Sequence, residues 1–204
     1  MEHESLPDLP RVMNLGSGKS YDPQMFNVDI NPQWHPDALI DLSVPQCLAQ
    51  PHDCGRFGLR VLPAGHFSDI NAFDVLEHVA GLTTMMANCL ELLAEGGRLH
   101  IGVPYDLSLG AWQDPTHVRA FNENSWLYYS DWYWYLGWER ARFDRESLTY
   151  VLSALGDRMQ KNGASTDELV VQARAVDSMH VVLRKRALSA DEAAHSRQMA
   201  SRQK

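Results

Sequence analysis

A short apolar run, Arg11 to Leu15, stops at Gly16, with a second glycine at Gly18; another apolar run, Phe26 to Ile30, follows and carries an acid, Asp29. A run too short for a helix and cut off by glycine predicts a buried strand entering a tight turn. Pro23, and the few residues between Ser20 and Phe26, leave little room for a helix before the next strand. Ala38 to Leu42 reads as a third strand. Pro32 and Pro45 follow the second and third runs closely and place loops beyond them.

The remaining pattern extends this into a sheet. Residues 43–66 are broken by Pro45, Pro51, Gly55, Gly58, Pro63 and Gly65, which predicts a connector with no more than a turn near Gln46 to Gln50. Phe67 to Phe73 reads as a strand. Leu82, Met85, Met86, Cys89, Leu90 and Leu93 recur at helical spacing, with Gly96 and Gly97 as the stop. Arg98 to Val103, closed by Pro104, reads as a buried central strand. Asp144 can cap a helix through Leu155, closed by Gly156. Leu169 to Ala175 and Met179 to Arg184 read as an antiparallel hairpin at the sheet edge. The expectation is an α/β sheet with ligand loops at the carboxyl ends of its strands.

Composition narrows the class. A chain of 204 residues with 45% hydrophobic and 22% charged residues has the size and make-up of one globular domain. Eighteen Lys and Arg against 26 Asp and Glu leave a charge of -8, which disfavours nucleic acid as a partner. No apolar stretch is long enough for a membrane span. Cys47, Cys54 and Cys89 form neither a CxxC pair nor a disulfide framework, so free buried thiols and a cytoplasmic setting are expected. Residues 1–10 read as a loose leader without secretory character. Residues 184–204 carry six Lys or Arg and two acids. Within them, 187–204 reads as a basic tail forming a solvated helix, with the main domain over 11–186.

Two chemistries compete for Asn14 to Ser20, NLGSGKS. The GKS end looks like a phosphate-binding loop, but that pattern wants glycine at Met13 and a helix after Ser20. A nucleotidase is thereby weakened. The alternative is a turn whose backbone approaches a nucleoside, with Asp29 accepting hydrogen bonds from the ribose diol. A purely structural turn beside a surface acid also remains open.

The order RVMNLGSG (Arg11 to Gly18), FNVDI (Phe26 to Ile30), Asp41–Leu42, FDVLEHV (Phe73 to Val79) and EGGRLHIGVP (Glu95 to Pro104) resembles class I S-adenosylmethionine-dependent methyltransferases over roughly half the chain. It is similar in particular to bacterial members linked to polysaccharide and small-molecule biosynthesis, which share the short segment Lys19 to Met25. The resemblance implies a Rossmann-like seven-stranded sheet of order 3-2-1-4-5-7-6, its last strand antiparallel, with a shortened first helix. It implies S-adenosylmethionine as cofactor, with Gly16, Ser17 and Gly18 near the methionine part, Asp29 on the ribose, and Asp41 and Leu42 bordering the adenine. Asp74 and Glu77 would lie at the methionine end, and His78 beside the substrate.

On the acceptor side, WQDPTHVRAF (Trp112 to Phe121) resembles a segment of the same subgroup. Asp114, His117 and Arg119 bring a carboxylate, an imidazole and a guanidinium to one loop. His117 is the expected base or acceptor orienter, Asp114 its partner, and Arg119 an anion or sugar ligand. A bland reading, in which all three serve the loop's own backbone, stands beside this. Asp114 and His117 are too few for a metal, and Glu77 and His78 could add donors only if the two loops meet; no metal is expected. Eight aromatics between Trp126 and Trp138, including four of the six tryptophans, read as a pocket wall, a core or a homodimer contact. Residues 105–143 are taken as an aromatic lid or interface insertion, with Tyr105, Trp112 and Trp126 expected at the substrate. The reading is methyl transfer to a hydroxyl or amine of a small or sugar acceptor. A noncatalytic adapter on the same fold is the alternative.

Overall fold

The computed structural model describes residues 7–202. Seven strands form one sheet: β1 (Val12–Leu15), β2 (Phe26–Asp29), β3 (Ala38–Leu39), β4 (Phe67–Phe73), β5 (Leu93–Pro104), β6 (Ala141–Leu152) and β7 (Val176–Ala187). Their order is β3-β2-β1-β4-β5-β7-β6. Neighbours from β3 through β5 run parallel, whereas β7 pairs antiparallel with both β5 and β6. This is the expected order, with the reversed strand where the resemblance puts it.

One face of the sheet carries Met13, Leu15, Ile70, Leu99, Ile101 and Leu183, all buried. Helix α1 (Leu82–Leu92) lies between β4 and β5 and buries Leu82, Met85, Met86, Cys89 and Leu90, the positions its spacing predicts. The helix ends at Leu92, before the expected glycines; Leu93 already pairs with Phe67, and Gly96 and Gly97 fall in an irregular start of β5. The other face is polar at its centre. Asn14, Asn71 and His100 sit side by side in register and are half-buried, and His100 Nε2 lies 2.8 Å from Asp69 Oδ1.

The connection from β1 to β2 contains turns and no helix, so the first helix is missing rather than shortened. Side-chain hydrogen bonds hold the strands together there. Asp37 is buried at the amino end of β3. Its Oδ2 accepts from Asn27 N–H at 2.9 Å and Asn27 Nδ2 at 3.0 Å, while Oδ1 accepts from Tyr21 O–H and Arg56 Nε, each at 2.9 Å. Burial pushes the Asp37 carboxyl up, but these four donors outweigh it and hold the group below its ordinary range. The missing helix also removes the phosphate-loop reading, since no helix amino terminus follows Ser20.

Three expectations are corrected beyond the sheet centre. Residues 144–155 are not a helix: Asp144 lies inside β6, which pairs with β7 along its length, and the helix starts only at α3 (Ala154–Lys161), capped by Ser153. A four-residue helix, α2 (Gly110–Gln113), precedes these elements. Residues 169–175 are not a strand: helix α4 (Thr166–Val171) ends there, held by a capping box between Ser165 and Glu168. The antiparallel pair at the sheet edge is β6 with β7, connected through two helices rather than a hairpin turn.

Part of the aromatic segment belongs to the core, while Tyr128, Trp132 and Tyr135 stay exposed. Trp126 is completely buried and stacks on Phe121 with centroids 5.4 Å apart. Trp138 packs between Tyr129 and Phe143. Tyr133 O–H donates to Glu192 O, and Trp134 meets His195, both on helix α5 (Ala190–Arg202). The carboxyl-terminal segment is thus a docked helix, tied further by Arg186 bridging Asp144 and Glu192. Residues 1–6 of the expected leader, and 203–204 of the tail, lie outside the described residues. Cys47, Cys54 and Cys89 are buried and unpaired, and no described helix is long and apolar enough to cross a membrane.

Asp37→Ala should lower unfolding stability by about 2 kcal/mol, because it leaves the buried Asn27 N–H without an acceptor, while Arg56 keeps Pro23 O and Met25 O. Because the folded carboxyl titrates below its unfolded value, its contribution is full above the ordinary carboxylate range and is lost as pH falls through the folded value. Urea midpoints of the parent and Asp37→Asn should converge on acidification. Trp126→Ala should cost about 4 kcal/mol in the same assay through the cavity it leaves.

Candidate functional site

The turn at Gly16 is forced by close packing. Gly16 and Ser17 N–H both donate to Val28 O, folding the chain back on the end of β2. Gly16 has φ +65, and a Cβ there would lie 2.3 Å from Val75 Cγ2. Only glycine fits both the conformation and the space. Asp29 closes the turn from the other side: Oδ2 accepts from Gly18 N–H and Oδ1 from Asn31 N–H, each at 2.8 Å. Each carboxylate oxygen has two lone pairs, so one acceptor site per oxygen remains for a ligand.

These residues border a cavity of 810 Å³ across the carboxyl ends of β1, β2 and β4. That is within the roughly 300–1,000 Å³ typical of small-molecule sites. Gly16, Gly18, Asp29, Asp41, Asp74 and His78 all line it. Asp74 holds a left-handed backbone, φ 55, while its N–H donates to Gly102 O. A non-glycine residue in that region at a cavity edge is a common mark of a functional loop.

Two loops distant in sequence meet at one end of the cavity. Val118 N–H donates to Glu77 O at 2.8 Å, and Arg119 Nη2 donates to Ala80 O at 2.9 Å. The Thr116 hydroxyl lies 2.7 Å from Asp114 Oδ1 and 2.9 Å from His78 Nδ1. Its single proton goes to the carboxylate, so the hydroxyl oxygen accepts from His78 Nδ1–H. Hydrogen bonds from the Thr116 side chain and amide hold the Asp114 carboxyl below its usual range. The His117 ring meets that of His78 edge to face at 4.6 Å, and its Nδ1–H donates to Ala111 O at 3.1 Å. Glu77 is 1% exposed, and burial pushes its carboxyl up to about 7.

The expected residues therefore separate into groups. His117 and Asp114 stand behind the cavity wall, and Asp114 supports His78 through Thr116 rather than partnering His117. Leu42 and Ser17 are buried beneath the wall; Ile40 is the apolar residue beside Asp41 that reaches the cavity. Glu77 is likewise enclosed. Arg119 braces the Ala80 backbone. Trp112 is 69% exposed and donates to Asp106 O, away from the lining residues. Tyr105 and Trp126 are corrections: the Tyr105 hydroxyl donates to Glu123 Oε2, and both rings are enclosed by packing, so neither can touch a substrate in this conformation.

Thr116 and Trp34 line the cavity without having been singled out. Trp34 lies just beyond the strand that carries Asp29, with the Lys19 ammonium 5.5 Å from its ring centroid. An indole so soon after the acid was a readable signal. Thr116 was not, because its role depends on His78 arriving from another loop.

Gly16→Ala should destabilise the fold by more than the roughly 1 kcal/mol of left-handed strain, with the excess coming from Val75. Val75→Ala in the same chain should recover that excess in thermal melts. Full recovery, or none, would contradict the packing account.

No protein-family model matches the chain, and no curated protein matches it. Solved structures do. An S-adenosylmethionine-dependent methyltransferase from Archaeoglobus fulgidus is 14% identical, with 88% of each chain covered and a TM-score of 0.55. One from Mesorhizobium loti is 13% identical, covering 88% of this chain and 94% of that one, with a TM-score of 0.53. The [4+2]-cyclase SpnF is 13% identical, covering 89% of this chain and 76% of its own, also at 0.53. At these identities the likeness is one of fold, and the chain has the fold of the class I S-adenosylmethionine-dependent methyltransferases.

Proposed function

We propose that this chain transfers a methyl group from S-adenosylmethionine to a hydroxyl or amine of a small or carbohydrate-like acceptor. The observation that carries the reading is Asp29: a carboxylate pinned by two backbone amides at the tip of β2, with lone pairs left over, on the wall of an 810 Å³ cavity. A ribose diol offers two donors spaced for such a group. Ile40 and Trp34 supply apolar area for the base, and Asp41 a polar edge. The glycine turn lets the methionine part approach the backbone at Gly16, with Asp74 across from it.

The acceptor then meets the methyl at the His78 end. Its lone pair forms the new bond to the methyl carbon as the carbon–sulfur bond breaks, and that electron pair stays on sulfur in the leaving thioether. The demands on the protein are alignment and the fate of one proton. An amine can lose its proton to water before attack. A hydroxyl needs assistance, and His78, with Thr116, Asp114 and His117 beside it, stands at that end. The fold alone does not fix the reaction, since a [4+2]-cyclase shares it; the Asp29 carboxylate on the cavity wall is what favours methyl transfer.

Calorimetry with S-adenosylmethionine and S-adenosylhomocysteine tests the reading. The purified chain should bind both, and Asp29→Ala should weaken each by about tenfold or more through loss of charge-assisted hydrogen bonds. His117→Ala should leave both affinities unchanged and lower turnover on an accepted substrate. Absence of binding by the parent chain, or equal loss in both variants, would overturn the assignment.

A further inference from the structure

Glu77, His78 and His117 come together where the loop after β4 meets the loop after β5. One ligating atom from each lies within 4.8 Å of the other two. Glu77 is 1% exposed, and neither of its carboxylate oxygens has a hydrogen-bond partner among the described residues. A buried carboxylate with nothing to bond costs several kcal/mol and calls for a compensating charge. Among the described residues no Lys or Arg forms an ion pair with it.

The two imidazoles are already set as ligands. His117 Nδ1–H is committed to Ala111 O, and His78 Nδ1–H to the Thr116 hydroxyl, which in turn donates to Asp114. In each neutral ring this leaves Nε2 as the unprotonated lone pair. A second hydrogen bond of this kind, to a carbonyl or through a hydroxyl to a carboxylate, is the arrangement that orients metal-bound histidines and fixes their tautomer.

We propose that Glu77, His78 and His117 bind a divalent transition-metal ion at the acceptor end of the cavity. Two imidazoles and one carboxylate suit zinc, iron or manganese better than magnesium or calcium, which prefer all-oxygen ligands. Bonds of about 2.1 Å place tetrahedral donors roughly 3.4 Å apart, so the set closes on an ion with side-chain shifts of about 1 Å. Three protein ligands leave coordination positions open, the pattern of a reactive site and not of a structural one. Of the three ligands His78 lines the cavity, so an ion held by it would stand at the acceptor end. Resting on the methyl-transfer reading, this narrows the acceptor to one whose oxygen can bind the ion, an alcohol, phenol or sugar hydroxyl, since a bound cation makes such a proton easier to lose.

The test is titration of the chelator-treated 204-residue chain with cobalt chloride, followed by visible absorption and by equilibrium dialysis with metal analysis. One cobalt per chain is expected, with the ligand-field bands of a low-coordinate site. His78→Gln and His117→Gln should each weaken cobalt binding by at least about tenfold, as loss of a ligand or its support does. His78 is exposed, so its replacement should keep the parent circular dichroism and melting profile. Failure to bind stoichiometric cobalt, or unchanged affinity in a folded His78→Gln chain, overturns the site. S-adenosylhomocysteine calorimetry on the same samples separates the two claims. Nucleoside binding without cobalt removes the metal site and leaves methyl transfer standing; cobalt binding without nucleoside upholds the site and removes the methyl-transfer role.

Discussion

The Asp29 carboxylate, held between the N–H groups of Gly18 and Asn31, is the contact on which the rest of the site depends. It joins the end of β2 to the glycine turn after β1 and so fixes the width of the cavity mouth. The turn can pass that close only because Gly16 has no side chain to collide with Val75. Val75 in turn follows Asp74, whose left-handed backbone aims the loop after β4 toward the acceptor end. One short stretch of geometry thus connects the nucleoside side of the cavity to the side where two histidines meet.

A sheet without its first helix has to hold β1, β2 and β3 together by other means. Here a polar knot centred on the buried Asp37 and Asn27 replaces helix packing: Asp37 gathers Asn27, Tyr21 and Arg56, and Asn27 also accepts from Asn14 Nδ2 at 3.1 Å. A knot of this kind is directional where apolar packing is not. It fixes the register of the strand that carries Asp29 and of the one that leads into Asp41, and a well-bonded polar cluster is suited to specifying one arrangement. Its cost is sensitivity to acid, because the knot depends on an ionised carboxylate.

Much of this was legible in the chain. The glycine turn, the acid at Asp29 and the central strand before Pro104 are local signals that mark where the cavity lies, whereas the strand order followed only from the family resemblance that those motifs carry together. The misreadings come from competition between local and distant effects. Asp144 resembles a helix cap and Gly156 a helix stop, yet Thr149, Tyr150 and Val151 favour a strand, and pairing with β7 decides the matter. Ser165 and Glu168 spelled out a capping box that the apolar residues after them obscured. Trp126 and Tyr105 looked like pocket walls because aromatic residues suit both pockets and cores; only packing distinguishes the two. The meeting of Glu77 and His78 with His117 could not be read from spacing, since it depends on backbone bonds such as Val118 N–H to Glu77 O that join separate loops.

A crystal structure of the chain with S-adenosylhomocysteine examines the central claim most directly. The ribose hydroxyls should lie within hydrogen-bonding distance of Asp29, the adenine near Ile40 and Asp41, and the sulfur beside Gly16 with its vacant side toward His78. A nucleoside found elsewhere, or an Asp29 carboxylate turned away from the ribose, would contradict the account.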